Sequence, residues 1–139
     1  MTILDTNVLS EVVKPDPEPK VLEWLAAQNY QDVYLTAMTV AEVLHGVHRM
    51  PEGKRRNQLR AAMDAMFRHE FAGRILVFDE AAAMSYAGLV TAREKAGRPV
   101  GAFDAQIAAI ATVHSATVAT RNIKDFELTG VALVNPWSA

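Results

Sequence analysis

Short runs of apolar and β-branched residues alternate along this chain with longer segments whose apolar residues recur at helical spacing. Runs typical of strands occur at residues 2–4, 33–35, 75–78, 116–120 and 131–134. The segments between them carry the 3.6-residue period of an amphipathic helix. Because parallel strands must be joined by a crossover, usually a helix, this α/β pattern predicts a twisted, mainly parallel sheet of four to five strands with helices on both faces.

The length and composition favour a single folded domain. A chain of 139 residues is long enough for one core and too short for two of ordinary size. Hydrophobic residues make up 50% of it and charged residues 22%, which is the balance of a soluble globular protein rather than a disordered one. We therefore expect residues 1–139 to form one domain.

The charge and the lack of cysteine restrict the possible chemistry. The formal net charge of −2 gives no overall attraction for nucleic acid, so a polyanion must be held by local basic groups or bound cations. A chain without cysteine has no disulfide, no thiolate metal site and no thiol nucleophile. Histidines and carboxylates remain as metal ligands.

Neither export nor membrane insertion is predicted. The first residues lack a basic segment, and Asp5 interrupts their apolar run, so they do not resemble a signal peptide. The longest segment without charge, residues 105–120, includes several polar residues and is shorter than the roughly 20 apolar residues of a membrane helix. We expect a cytoplasmic protein with no membrane anchor.

Carboxylates occur where the strand pattern would place a ligand site. In a parallel sheet, ligands bind outside the carboxyl ends of the strands. Asp5 follows the first strand run, and Asp125 follows the fourth. Glu42 and Asp104 are predicted to lie in the first turns of helices. If those helices begin at the same edge, four carboxylates that are far apart in the chain converge there.

A cluster of carboxylates requires a cation. Several of them in one cleft repel one another and raise one another's pKa unless a divalent metal keeps them ionised. Oxygen ligands without cysteine or histidine suit Mg²⁺ or Mn²⁺, which retain water molecules that a phosphate can replace. The reaction that fits such a site is hydrolysis of a phosphodiester bond by a metal-activated water.

Each acid also has a purely structural interpretation. Asp5 could cap the first helix, and Glu42 could be the reciprocal partner of Thr39 in a capping box. Asp104 is favourable in the first turn of a helix through the macrodipole alone, and Asp125 could lie in an Asx turn. The helix that begins near Asp104 is apolar nearly all round, however, so an acid at its end needs a partner.

Four stretches, in this order, carry a family resemblance: ILDTNVLSE (3–11), TVAEVLHG (39–46), FDAQIAA (103–109) and ATRNIKDF (119–126). Together they resemble a PIN domain, and most closely the VapC-type toxin ribonucleases of bacterial type II toxin–antitoxin pairs, including the FitB-like group. The resemblance covers nearly the whole chain. It implies a PIN-like fold and a metal-dependent endoribonuclease.

The resemblance also implies roles and partners. The acids that correspond to the family's ligands around Mg²⁺ or Mn²⁺ are Asp5, Glu42 and Asp104. The residues that correspond to polar supports of the site are Thr6, Asn7 and Thr120. The implied partners are an RNA substrate, a second copy of the chain in a homodimer, and an antitoxin whose carboxy-terminal segment blocks the site within a larger hetero-oligomer.

The chain departs from the family pattern at one position. Many members carry an aspartate where this chain has Asn122. The fourth acidic ligand is therefore missing, replaced by an amide oxygen, or supplied by Asp125.

Basic residues offer two sets of candidate RNA contacts. Arg121 and Lys124 flank the proposed site and are suitably placed to bind phosphate. Arg55 and Arg56 belong to the densest basic group, which could contact RNA but is also typical of a solvated helix face.

Two alternative functions remain. An aspartyl-phosphate phosphatase would use Asp5 as its nucleophile, but resemblance to such enzymes requires a second aspartate two residues later, where this chain has Asn7. The other is a catalytically weak, PIN-like binding module that has lost its metal and acts through its partner complex. Asn122 is the feature that favours this second alternative.

Overall fold

The computed structural model describes residues 1–139 and contains five strands and seven α-helices. The strands are β1 (Thr2–Leu4), β2 (Val33–Thr36), β3 (Ile75–Leu76), β4 (Thr117–Ala119) and β5 (Ala132–Val134). The helices are α1 (Thr6–Val13), α2 (Pro19–Ala26), α3 (Ala37–His48), α4 (Lys54–Ala65), α5 (Glu80–Lys95), α6 (Ala102–His114) and α7 (Ile123–Phe126). None of these helices combines the length and apolar character that crossing a bilayer needs.

The strands form one sheet in the order β3-β2-β1-β4-β5, and every pair is parallel. β1 is the central strand, because Ile3 lies opposite Tyr34 of β2 on one side and Val118 of β4 on the other. The chain extends the sheet from β1 to β3, then returns through α5 and α6 to add β4 and β5. This confirms the predicted parallel sheet and places the reversal of strand order between β1 and β4, where such sheets bind ligands.

Helices cover both faces of the sheet, as the strand pattern predicts. Ile3 and Leu4 are 0% and 1% exposed, yet they belong to different apolar clusters because successive strand residues point to opposite faces. The cluster around Ile3 includes residues of α5 and α6, and the cluster around Leu4 includes residues of α1, α2, α3 and α4. Burial on both faces explains why the strands are nearly continuous apolar runs.

The segment 54–71 does not form a single α-helix, in contrast to the helical spacing of its apolar residues. α4 ends at Ala65, and Met66–Glu70 continues the chain as a π-helical turn. Phe67 and Phe71 are both buried across this turn. The spacing of apolar residues over these five positions fits an α-helix and a π-helix equally, so the sequence pattern does not distinguish the two. The third strand is also shorter than the run at 75–78, because β3 is an edge strand that pairs only with β2.

The capping box that the spacing of Thr39 and Glu42 suggests does not form. The N-cap of α3 is Thr36, the last residue of β2, whose hydroxyl accepts a hydrogen bond of 3.3 Å from the Thr39 backbone N–H. Thr39 is buried inside the helix instead. Glu42 consequently lies in the second turn of α3 and not in the first. The two threonines are three residues apart, and the position where the strand ends decides between them.

We expect Ile107→Ala to lower the free energy of unfolding by about 2–4 kcal/mol, because a fully buried side chain of α6 is replaced by a cavity. Urea denaturation measures the change. Val113→Ala on the same helix is the matched control, since Val113 is 39% exposed and should cost less than about 1 kcal/mol. Equal losses for the two variants would contradict the assigned faces of α6.

Candidate active site

Asp5 lies at the carboxyl end of the central strand, where the strand order changes. Its backbone N–H donates a hydrogen bond of 2.9 Å to the Ala119 carbonyl, which extends the pairing of β1 and β4 by one residue. Thr120 follows β4 at the same edge and is completely buried. The two strand ends therefore bring a carboxylate and a hydroxyl into contact from positions far apart in the chain.

The Asp5 carboxylate is buried and held by three donors. Oδ1 accepts a hydrogen bond of 2.8 Å from the Thr6 backbone N–H, so Asp5 does cap α1. Oδ2 accepts from the Thr120 hydroxyl at 2.8 Å and from Asn7 Nδ2 at 3.1 Å. Burial raises the pKa of Asp5, the hydrogen bond from Thr120 opposes that rise, and the charge of Asp125 adds to it.

Asn7 and Thr120 join the end of β1 to the loop after β4. Asn7 Nδ2 lies 3.3 Å from the Thr120 hydroxyl, and its Oδ1 accepts a hydrogen bond of 3.1 Å from the Arg121 backbone N–H. The Thr120 hydroxyl also accepts from the Asn122 backbone N–H at 3.0 Å. These contacts fix the orientation of the Asp5 carboxylate and the start of the loop that leads to α7.

Glu42 reaches the same edge from α3. The Thr6 hydroxyl donates a hydrogen bond of 2.9 Å to Glu42 Oε1 and lies 3.0 Å from the Thr39 hydroxyl. Glu42 itself is exposed to solvent. Thr6 therefore connects the first turn of α1 with the second turn of α3 and orients an accessible carboxylate.

Asp104 lies in the first turn of α6, as predicted, and is half-buried. Burial and the charges of Asp5, Asp125 and Glu42 raise its pKa to about 6, against a smaller opposing effect of Arg93. Because the charges of all three other acids raise the pKa of Asp104, these acids lie close enough to interact with it electrostatically. The structure thus brings the four predicted carboxylates to one edge of the sheet.

Asp125 is exposed on the short helix α7, and its charge raises the pKa of both Asp5 and Asp104. Asn122 occupies the N-cap position of α7, but its side chain makes no capping hydrogen bond. Both residues line a polar cleft of about 400 Å³ that opens beside the acids. The remaining residues of this cleft are Arg121, Ile123, Lys124 and Asn135.

The donor set suits a hard divalent cation, although no three acidic or histidine side chains lie close enough together to hold one directly. The chain contains two ion pairs, Lys14–Glu11 and Arg98–Glu127, and neither includes an acid of the cluster. The cluster therefore has mutual repulsion and no ion-paired cation of its own. The acids could surround a cation completely only if Asp104 and Asp125 moved. No hydrogen bond restrains the carboxylate of either residue.

The four candidate RNA-binding residues lie in different surroundings. The Arg121 guanidinium lies over the Trp137 ring, 4.9 Å from its centroid, and shares the polar cleft with Lys124. Arg55 lines a second cleft, of about 560 Å³, between α1, α3 and α4. Arg56 is half-buried on α4 and lines neither cleft. The structure therefore brings three of the four to the clefts beside the acids.

Two residues outside the predicted set of site residues contact that set. Thr39 supplies the buried hydroxyl beside Thr6, and Arg93 donates a hydrogen bond of 3.1 Å to the backbone carbonyl of Asp125. Arg93 lies four residues after Leu89 on the buried stripe of α5. A charged residue at a buried position of a helix is the one signal by which the sequence could have indicated it.

An all-parallel sheet with carboxylates gathered at the end of its central strand is the arrangement of a PIN domain. The family model described as PIN domain matches residues 2–130, and the chain belongs to this family.

Within that family, the chain is similar to VapC and FitB proteins. It is 42% identical over 137 residues to VapC ribonuclease Y4jK of Sinorhizobium fredii, covering 99% of this chain and 98% of that protein. It is 44% identical to Toxin FitB of Neisseria gonorrhoeae, covering 99% of each chain. The crystal structure of FitAcB from Neisseria gonorrhoeae matches it with a TM-score of 0.95 and 43% identity, covering 100% of both chains.

We expect Asp104→Asn to stabilise the protein by about 1 kcal/mol at pH 7.5 in a chelator, because the half-buried carboxylate is then ionised and unpaired. A pKa of about 6 in the folded chain means that folding favours the protonated form, so the stabilisation it contributes is present below pH 4 and is lost as the pH rises through 6. The difference between variant and parent should therefore vanish near pH 4. Thermal unfolding at both pH values measures it.

Asp32→Asn is the matched control, since Asp32 is exposed at the opposite edge of the sheet, before β2. Addition of Mn²⁺ should remove the advantage of Asp104→Asn over the parent. Equal stability of the parent and Asp104→Asn at pH 7.5 in chelator would contradict the charge repulsion described for the cluster.

Proposed function

We propose that this chain is a metal-dependent endoribonuclease and the toxin of a type II toxin–antitoxin pair. The observation that carries the proposal is the convergence of four carboxylates at the carboxyl end of β1, with effects of all three others on the pKa of Asp104. Relatives named as a ribonuclease and as a toxin, each aligned over nearly the full chain, support the same function.

Asp5 and Asp104 would hold a Mg²⁺ or Mn²⁺ ion, because both are recessed carboxylates that form no ion pair within the chain. A bound divalent cation supplies a water of lowered pKa and neutralises charge on the phosphate. Glu42, oriented by Thr6, would bind and orient the attacking water. The reaction adds water across a P–O bond of RNA, so no side-chain nucleophile is required.

Asp125 is a better candidate than Asn122 for the fourth ligand position. Its charge acts on both Asp5 and Asp104, whereas an amide would add no charge to the cluster. The hydrogen bonds from Asn7 and Thr120 would keep the Asp5 carboxylate in one orientation while a cation binds.

The RNA backbone would approach through the two clefts beside the acids. Arg121 and Lys124 lie in one of them and Arg55 in the other. The net charge of −2 makes such local cations the source of attraction for the substrate. Stacking on Trp137 limits the conformations of the Arg121 side chain, which lowers the entropy lost when it binds a phosphate. A cytoplasmic location would give the protein access to cellular RNA.

An antitoxin would bind in the cleft of about 560 Å³ that opens next to Glu42. Its apolar lining, which includes Val43, Val47 and Met63, suits side chains of a docked segment, and its position lets that segment block the site. Large apolar side chains that remain exposed, among them Met84 at 74% and Val77 at 60%, support a homodimer and a larger complex with the antitoxin.

A catalytically weak binding module is the second candidate. The observation that favours it is the absence of any group of three ligand-type side chains at cation-binding distance, together with an amide at Asn122. Titration with Mn²⁺ distinguishes the two functions. Saturable binding that Asp5→Asn removes supports the nuclease, and no binding at millimolar Mn²⁺ supports the module.

We expect Asp104→Ala to lower the rate of RNA cleavage at least about 100-fold, since it removes a carboxylate that would hold the cation. The fold should persist, because Asp104 makes no ion pair and lies at the start of α6. Asp32→Ala is the control and should cleave at the parental rate. The assay uses a labelled single-stranded RNA with Mg²⁺, and full activity of Asp104→Ala would overturn the nuclease proposal.

We expect Arg121→Ala to weaken RNA binding and to reduce the salt dependence of log Kd by about 0.7, the slope for one phosphate contact on a single strand. Binding is measured in the Asp104→Ala background, where cleavage should not interfere, between about 50 and 200 mM salt, over which the Debye length falls about twofold. Arg68→Ala, at an exposed position of the π-helical turn, should leave the slope unchanged. An unchanged slope for Arg121→Ala would exclude a phosphate contact.

A further inference from the structure

Arg93 is a buried cation without an acidic partner. It lies in the last turn of α5, is 4% exposed, and takes part in neither of the two ion pairs of the chain. Its guanidinium donates instead to three backbone carbonyls, those of Arg98 at 2.5 Å, Asp125 at 3.1 Å and Glu127 at 2.6 Å. All of the hydrogen bonds of this side chain thus go to main-chain oxygens.

Two of these carbonyls belong to the segment that carries Asp125. The helix α7 has four residues, which is too short to be stable by its own hydrogen bonds. Phe126 anchors it on one side, at 1% exposure in the core. Arg93 binds the backbone at both sides of Phe126, so the carbonyls of Asp125 and Glu127 are tied to α5 by one rigid planar group.

The third carbonyl lies in the loop that leads to α6. Arg98 accepts from Arg93 through its backbone, and its own side chain bonds Glu127 Oε2 at 2.9 Å. One guanidinium therefore connects α5, the loop before α6 and α7. The loop leads into α6, whose first turn carries Asp104, and α7 carries Asp125. These are the two acids whose carboxylates no hydrogen bond restrains.

We propose that Arg93 is a positioning residue that holds Asp125 at the acidic cluster through the α7 backbone. The proposal rests on the nuclease function proposed above. Arg93 would act on the reaction through Asp125 and not by touching RNA, because the core encloses it.

Arg93→Met tests this, since it keeps an unbranched side chain as far as the position of Nε and removes all three hydrogen bonds. We expect kcat for RNA cleavage to fall about 10- to 100-fold with little change in KM, as for other outer supports of metal ligands. Arg93→Lys, which retains the charge and can reach fewer carbonyls, should recover part of the loss.

Arg74→Met is the matched control. Arg74 is also buried, and it also donates to three backbone carbonyls, those of Tyr30, Val33 and Glu70, at the opposite edge of the sheet. Its loss should lower thermal stability while leaving kcat of the folded protein near the parental value. An equal fall in kcat for both variants would mean that Arg93 has only a structural role, and would overturn the proposal.

A double-mutant cycle with Asp125→Asn separates positioning from general destabilisation. If Arg93 acts through Asp125, Arg93→Met should lower kcat no further once Asp125 is already an amide. A multiplicative loss in the double variant would overturn the proposal, and so would an unchanged kcat for Asp125→Asn alone.

Hydrogen exchange gives a second readout that does not depend on activity. The backbone amides of residues 123–127 should exchange faster in Arg93→Met than in the parent or in Arg74→Met. Unchanged exchange there would overturn the proposal even if kcat falls. A parent chain that cleaves no RNA with Mg²⁺ or Mn²⁺ would instead overturn the nuclease function, while the exchange rates would still report whether Arg93 holds the segment of Asp125.

Discussion

The hydrogen bond from the Thr120 hydroxyl to the Asp5 carboxylate joins the two halves of the sheet at the point where their order reverses. A buried carboxylate is costly unless donors surround it, and here the donors come from both strand ends. Asp5 takes them from its own helix start and from the loop after β4. The orientation of the central acid and the pairing of β1 with β4 therefore depend on each other.

Around this fixed point the site gathers negative charge that the chain itself does not neutralise. Asp5 is restrained by hydrogen bonds and Glu42 by Thr6, while Asp104 and Asp125 have no such restraint on their carboxylates. Two carboxylates of the cluster are thus held in place and two are free to move. This combination suits cation binding, because the free carboxylates can move toward an ion that has entered the site. The backbone of Asp125 nevertheless accepts a hydrogen bond from Arg93, which also binds the backbone of the loop that leads to α6.

The fold class and the four acids could be predicted from the sequence for separate reasons. Strand and helix patterns depend on local period, and both faces of β1 are apolar because both are covered. Asp5 and Asp104 could be identified because polar residues directly follow or begin apolar elements. The start of α3 could not be predicted, because Thr36 and Thr39 both have a hydroxyl that can cap a helix. Only the position where β2 ends selects Thr36. The role of Arg93 could not be predicted either, since two of its three acceptors are backbone carbonyls more than 30 residues away in the chain.

The sequence by itself determined the alternation of strands and helices, and with it the parallel connection and the edge at which Asp5 and Asp125 lie. These follow from short-range periodicity and from the handedness of crossovers, which need no knowledge of distant contacts. Only the tertiary structure decided which acids are buried, which of them act on one another, and which hydroxyl, amide or guanidinium supports each. Those properties depend on desolvation and on distances of a few ångströms between elements, and no local pattern in a chain encodes them.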